Sequence, residues 1–248
     1  MADKKNINET RRLSEFHVGD FDDSNLPHLS GLNRRGLMLA LSAPSGTGKT
    51  TMTRKLLEQD NDVELSVSAT TRAPRVGEED GVHYHFLSKE EFQRLVAEKE
   101  LLEHTKIHGN YYGTMREKVV AALDAGRDVL FDIDTPGVEQ LAAFARADLV
   151  SVFILPPSFE EMAKRLRARG QDSEEVIKRR LADAENQMIK YDQYDYVIIN
   201  RDLEDSMLKL RTILGAERMK RSRLRGLDDL GNRLLAEVKD YHIKLQAE

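Results

Sequence analysis

The 248-residue chain contains no cysteine, which excludes disulfides and thiolate metal sites. It has no apolar run approaching the ~20 residues needed to cross a bilayer. Its first ten residues, Met1 to Thr10, are polar and charged and lack the apolar centre of a secretory signal. Charge of one sign is also lacking. The 38 Lys and Arg against 43 Asp and Glu leave a net charge of −5, which gives no general pull toward nucleic acid or a membrane surface. The 7 histidines include no HExxH zinc arrangement. His83 and His85 alternate about Tyr84 and are expected on one face of a plain strand. There is no internal repeat and no low-complexity segment. With 40% apolar and 33% charged residues, the expectation is a cytoplasmic globular protein with neither nucleic-acid nor membrane partners. Self-association is left open.

What is present is more informative. The stretch Ala43-Pro44-Ser45-Gly46-Thr47-Gly48-Lys49-Thr50 follows an apolar run, Leu37 to Leu41, and precedes Thr51 to Leu57, which carries a helical apolar stripe. Strand, glycine loop and helix are the context of a phosphate-binding P-loop. Successive backbone N–H groups there form an anion nest, and the helix N-terminus adds its positive end. Ala43 to Thr51 is thus the expected site for a nucleotide's phosphates. Lys49 would reach the terminal phosphates and the Thr50 hydroxyl would serve Mg²⁺. The pattern G-x-x-x-x-G-K-[ST] has Ala43 in place of its first glycine, a change that matters only where a positive φ is needed.

Taken in order, residues 1–34 show no periodicity and read as a flexible extension, docked if at all by Phe16, Val18 and Phe21. After the P-loop helix a strand is expected over Val63 to Ser68, a loop with Arg72 and Arg75 stopped by Pro74, a strand over His83 to Leu87 and a helix over Lys89 to Lys99. Arg116 to Ala125 reads as a helix closed by Gly126. Asp128 to Asp134 reads as a buried strand with acids at its carboxyl end, where ligands of open parallel sheets bind. A helix follows over Val138 to Ala145 and a strand over Leu149 to Leu155. Ser158 and Ser173 each open a helix, and the pair, meeting at Gly170 and dense in arginine, reads as a mobile lid. A last buried strand, Tyr196 to Asn200, precedes a closing helix from Leu203 to about Arg221. Beyond it Leu227, Leu230, Leu234, Val238, Tyr241 and Leu245 form one apolar helical face, to be buried on its own domain or on a partner. Alternating strands and helices predict an α/β fold, a P-loop NTPase-type doubly wound parallel sheet. A mixed α/β segment (68–114) and a helical lid (158–190) are inserted over its carboxyl edge.

Several motifs in order resemble the guanylate kinase family. They are Ser66-Val67-Ser68-Ala69-Thr70-Thr71-Arg72, Pro74-Arg75, Gly77-Glu78, Gly81-x-x-Tyr84-x-Phe86, Leu102-Glu103, Gly109 to Thr114, Asp132-x-Asp134, Arg165 to Gly170 and Val197 to Asn200. The resemblance implies phosphorylation of GMP, and of dGMP, with ATP as donor and Mg²⁺ as cofactor. It divides the chain into an extension (1–35), a guanylate kinase-like domain (36–216) and an amphipathic helical extension (217–248). Within the domain, 36–67, 115–157 and 191–216 form the core, 68–114 the GMP-binding region and 158–190 the lid. By the same resemblance Ser68, Arg72, Arg75, Tyr84 and Tyr112 hold GMP, and Glu103, Thr114 and Asp132 read guanine. Arg165, Arg169 and Arg180, with Lys49 and Arg72, neutralise the transferring phosphate. Asn200 lies near the adenine, and Asp134 supports the magnesium shell with Thr50. Thr135-Pro136 and Gln187 depart from the family's usual residues. Two other readings remain: a P-loop kinase of another phosphorylated acceptor such as a ribose phosphate, and a non-catalytic module that docks phosphopeptides. Glu103, Asp132 and Tyr112 argue against the first, and the intact Lys49-Thr50 against the second.

Overall fold

The computed structural model describes residues 31–107, 109–168 and 174–247; Phe16, Val18, Phe21, Arg169, Gly170 and Ser173 lie outside them. The first part of the chain runs β1 (Asn33–Arg34), β2 (Met38–Ser42), α1 (Lys49–Gln59), β3 (Val63–Leu65), β4 (Ala69–Thr70), β5 (His85–Phe86) and α2 (Lys89–Ala97). The middle runs β6 (Leu101–Ile107), β7 (Asn110–Met115), α3 (Arg116–Asp124), β8 (Asp128–Asp132), α4 (Thr135–Ala145) and β9 (Leu149–Leu155). The remainder is α5 (Phe159–Ala168), α6 (Glu174–Met188), β10 (Tyr196–Ile199), α7 (Leu203–Arg218), β11 (Leu224–Arg225) and α8 (Leu227–Ala247).

The central sheet has the order β10-β9-β2-β8-β3, and every pairing in it is parallel. Strand β2 lies in its middle and is buried on both faces. Leu37, Leu39 and Leu41 pack with Met52 and Leu56 of α1 and Met207, Leu210 and Leu214 of α7. Met38 and Ala40 turn the other way, toward Val119 and Leu123 of α3 and Val138 and Leu141 of α4. Cover on both faces is why this strand is a continuous apolar run rather than an alternating one. The expected α/β architecture with helices on both sides of a parallel sheet is what forms.

At the foot of the sheet Asp128 is fully buried. Its carboxylate accepts from Arg34 (2.6 Å), Arg218 Nε (2.6 Å) and the Leu37 backbone N–H (3.0 Å). That network ties β8, α7 and β1 together below the P-loop strand.

Three expected elements differ. Strand β3 stops at Leu65, because the chain leaves the central sheet to pair Ala69–Thr70 with β7 and β5. Only His85–Phe86 of the His83–Leu87 run is strand; His83 belongs to the preceding turn, where its Nδ1 accepts from Glu79 N–H (3.1 Å). Strand β10 sits at the sheet edge. Ile198 is buried with the α1 and α7 core, while Val197 and Ile199, on the opposite face of the strand, are 42% and 43% exposed.

Two elements appear without a sequence signal. Strands β1 and β11 pair antiparallel through two residues each, joining the start of the described chain to the start of α8. The tail helix forms with the expected apolar face, but Leu234, Val238, Tyr241 and Leu245 are exposed, so that face is not buried on its own domain among the described residues.

The inserted segment is a four-stranded sheet, β5-β4-β7-β6. Helix α2 covers it, with Phe92 and Leu95 on Ala69 and Leu101. Ser88 caps α2 by accepting from Glu91 N–H (3.0 Å). Between the pairs Leu101–Met115 and Glu103–Thr114 the register slips by one residue. Such a bulge breaks the strict alternation of faces, and Leu101, Leu102 and Glu103 are all buried.

Candidate active site

The P-loop turns from β2 into α1 with Gly46 at φ +89° and Gly48 at φ +100°. Thr47 between them is fully buried, and its hydroxyl donates to the Pro44 carbonyl (2.9 Å). Ala43 is not among the residues with positive φ, so replacing the pattern's first glycine there introduces no backbone strain. The loop is walled on both sides. A Cβ on Gly46 would stand 2.8 Å from Leu166 Cγ of α5, and one on Gly48 would stand 2.5 Å from Asn200 Nδ2. Thr50 and Thr51 begin α1 with exposed side chains.

Lys49 forms an ion pair with Asp132 at the end of β8. Parallel pairing sets Leu41 opposite Asp132, so the carboxyl ends of β2 and β8 place this acid at the mouth of the loop. Asp134, two residues on, faces elsewhere. It caps α4 by accepting from Gly137 N–H (3.2 Å), and its charge is felt by Glu103.

Across the crevice Glu103 is 6% exposed. Its Oε1 accepts from the Thr114 hydroxyl (2.8 Å), and the Ser66 hydroxyl lies 3.4 Å from that of Thr114. Burial pushes the Glu103 carboxyl above its ordinary range, and the charge of Asp134 adds to the rise against the Thr114 hydrogen bond. The two acids of the Asp132-x-Asp134 motif therefore divide: Asp132 pairs with the P-loop lysine and Asp134 caps α4. The family resemblance implies Asp132 as a guanine reader and Asp134 as support for the magnesium shell. Asp132 is the last residue of β8, whereas Asp134 lies past the strand end as the N-cap of α4, and the motif alone does not show where the strand stops.

The loop after β4 builds a cationic wall. Arg72 donates to Glu78 (2.8 Å) and to the Ala73 carbonyl (2.8 Å). Its guanidinium lies over the Tyr84 ring at 5.3 Å, and Tyr84 meets Tyr112 edge-on at 6.1 Å. Glu78 also accepts from the Arg75 backbone N–H (2.7 Å). The Arg72 hydrogen bond, followed by that from Arg75, holds the Glu78 carboxyl down to about 2. In the sequence Glu78 stands only as part of a motif. Its role as the clamp that shapes the arginine loop needed the fold to be seen. Ser68 anchors the same segment through its carbonyl, which accepts from His85 N–H (2.9 Å).

Arg165 of α5 is half-buried. It donates to Glu161 one turn back (2.9 Å) and to the Asn200 carbonyl (3.2 Å). Helix α5 buries Met162 and Leu166, so it forms a wall of the P-loop. Arg180 lies on α6; Arg169 falls outside the described residues. Among the described residues no helix is long and apolar enough to cross a membrane.

A glycine loop aimed by a parallel strand into a helix, an acid at the neighbouring strand end, and a cationic wall with a buried carboxylate define a P-loop nucleotide kinase type of protein. The comparisons narrow this. The guanylate kinase family model matches residues 35–217. A guanylate kinase of Paramagnetospirillum magneticum is 53% identical over 206 residues, 83% of this chain and 96% of that protein. One of Agrobacterium fabrum is 52% identical over 204 residues, 82% and 93% of the two chains. The crystal structure of guanylate kinase from Anaplasma phagocytophilum is similar at 39% identity and a TM-score of 0.63, covering 80% of this chain and 95% of that one. The chain belongs to the guanylate kinase family.

Proposed function

We propose that the chain transfers the γ-phosphoryl group of ATP to GMP, giving ADP and GDP, and that it accepts dGMP as well. One observation carries the choice of acceptor. Glu103 is a buried carboxylate whose hydrogen bond comes from a single neutral hydroxyl. An ionised carboxylate accepts only, and guanine presents two donors, N1–H and the N2 amine, on one edge. Glu103, with Thr114 and Asp134 beside it, is the reader of that edge. Ser68, Arg72, Arg75, Tyr84 and Tyr112 hold the GMP phosphate. An incoming dianion replaces Glu78 as the stronger partner of Arg72.

On the donor side the nest of residues 43–51 binds the β- and γ-phosphates, with Lys49 on the terminal oxygens. Thr50 and Asp132 supply hard oxygen donors suited to the magnesium ion of ATP, which keeps most of its shell as water and phosphate oxygen. That ion spreads the negative charge of the phosphates when bound. Asp132 orients Lys49 by the contact seen between them. A GMP phosphate oxygen, already ionised, forms the new bond to the γ-phosphorus. The bond from that phosphorus to the bridging oxygen breaks, and its electron pair leaves with ADP. No proton is removed in this step, so the residues position and neutralise. Arg72, Arg165, Arg169 and Arg180 are the cations assigned to neutralise the transferring group. The site works in the cytoplasm as a purine nucleotide kinase.

ADP release is expected with GMP and dGMP, and none above background with AMP, ribose 5-phosphate or no acceptor. Equal turnover of AMP, or GMP-independent ADP release, would overturn the assignment.

Acid should act through Glu103. Its carboxyl is raised, so as pH falls it takes up a proton above the ordinary glutamate value of about 4.3 and loses the charge that accepts from guanine. kcat/KM for GMP is therefore expected to fall on the acid side and to be full above the raised pKa. kcat at saturating GMP should fall only at lower pH, because the guanine donors favour the ionised form in the complex. The GMP phosphate itself titrates near pH 6, so the profile is compared with that of Glu103→Gln. An unchanged acid limb in that variant removes Glu103 from the cause.

A further inference from the structure

Asn200 follows β10 and is 4% exposed; Ser206, six residues further on in the first turn of α7, is fully buried. Every polar group of Asn200 is engaged by protein. Its backbone N–H donates to the Leu155 carbonyl (2.8 Å), and its carbonyl accepts from Arg165 (3.2 Å). Its side-chain Nδ2 donates to the Thr47 carbonyl in the P-loop (2.6 Å), and Oδ1 accepts from the Ser206 hydroxyl (2.9 Å). The Thr47 carbonyl can only accept, which fixes the amide with nitrogen toward the loop. The hydroxyl then satisfies the oxygen left on the far side. Gly48, next in the chain after Thr47, holds φ +100° and has no room for a Cβ against this amide.

We propose that Asn200 and Ser206 are positioning residues for the P-loop, fixing the Thr47 carbonyl so that Gly48 keeps its left-handed turn and Lys49 faces the phosphates. Asn200 is 4% exposed with Nδ2 and Oδ1 both turned to protein partners, and it acts on ATP through the loop. The Asn200 carbonyl holds Arg165, so the same residue ties the α5 arginine to the loop that binds the donor. This rests on the reading of residues 43–51 as the ATP phosphate site.

The test compares the full chain with Ser206→Ala and Asn200→Asp, and with Lys49→Ala alongside. Ser206→Ala leaves a buried amide oxygen without a donor. It is expected to raise KM for ATP about tenfold, the scale of one buried hydrogen bond. KM for GMP should stay within about twofold, since no interaction on that side changes. Asn200→Asp sets a carboxylate oxygen against the Thr47 carbonyl, two acceptors face to face, and is expected to cost about a hundredfold in kcat/KM for ATP. Thermal stability is read in parallel. If Asn200→Asp does not fold, Ser206→Ala decides, because it removes one atom and adds none. Wild-type KM for ATP in Ser206→Ala overturns the proposal, as does a rise of equal size for ATP and GMP. Loss of turnover in Lys49→Ala beside unchanged ATP kinetics in the other variants would sink the positioning roles alone. Retained turnover in Lys49→Ala would instead remove the P-loop reading beneath them.

Discussion

Lys49→Ala is expected to lower kcat by at least about a thousandfold while leaving the dissociation constant of GMP near its wild-type value. Lys49 is the cation on the P-loop helix, and its contact in the free protein is Asp132 rather than any group of the GMP wall. Removing it takes away charge that is matched to the terminal phosphate oxygens as the bond to ADP breaks. Single-turnover rates and GMP binding by calorimetry check both halves. Near-normal kcat would show that the loop is not the donor site. Asp132→Asn is the companion experiment. With its place beside Lys49, it should lose at least about a hundredfold in kcat with little change in KM for GMP. If Asp132 instead read guanine, the loss would lie in KM for GMP.

The second large effect concerns the base. Adenine presents an N1 acceptor where guanine presents N1–H, and it has no N2 amine. Two hydrogen bonds to a charged group, each worth about 1.5–3 kcal/mol, are gained with GMP, and a buried charge is left facing a lone pair with AMP. AMP should be rejected by at least about a hundredfold. Glu103→Gln keeps the size and the Thr114 contact, removes the charge and adds a donor. It is expected to lose tenfold or more in kcat/KM for GMP, mostly through KM, on the order of one charged hydrogen bond. It should also narrow the preference for GMP over AMP. Asp134→Asn should shift KM for GMP rather than kcat, and it leaves α4 capped because asparagine caps as well as aspartate. Wild-type kinetics for both nucleotides in Glu103→Gln would make Glu103 a structural acid of the β6 bulge.

The P-loop was legible from the sequence because each of its parts is local. The apolar run of β2, the two glycines that take positive φ, and the lysine and threonine opening α1 lie within 14 residues, 38 to 51. The arginine loop was legible for the same reason, with Arg72 and Arg75 held by Glu78 six and three residues away. Asp132 and Asp134 show where locality ends. Both stand at one strand end, and which of them meets Lys49 depends on how β8 pairs with β2 and on where α4 starts.

The sequence by itself determined that this is a parallel α/β sheet with a phosphate loop at its centre. Hydrophobic periodicity, glycine placement and charge at fixed short spacings carry those signals. Only the tertiary structure decided what spans long stretches of chain. It paired Asp132 with Lys49 and left Asp134 to cap α4. It placed β10 at an open edge and left the α8 leucines uncovered. It also laid Asn200 against Thr47, 153 positions earlier. The physical reason is the same in each case. A side chain's own spacing sets which face of its element it takes, but its partner is set by packing between elements, which brings distant residues into contact without leaving a pattern in either segment.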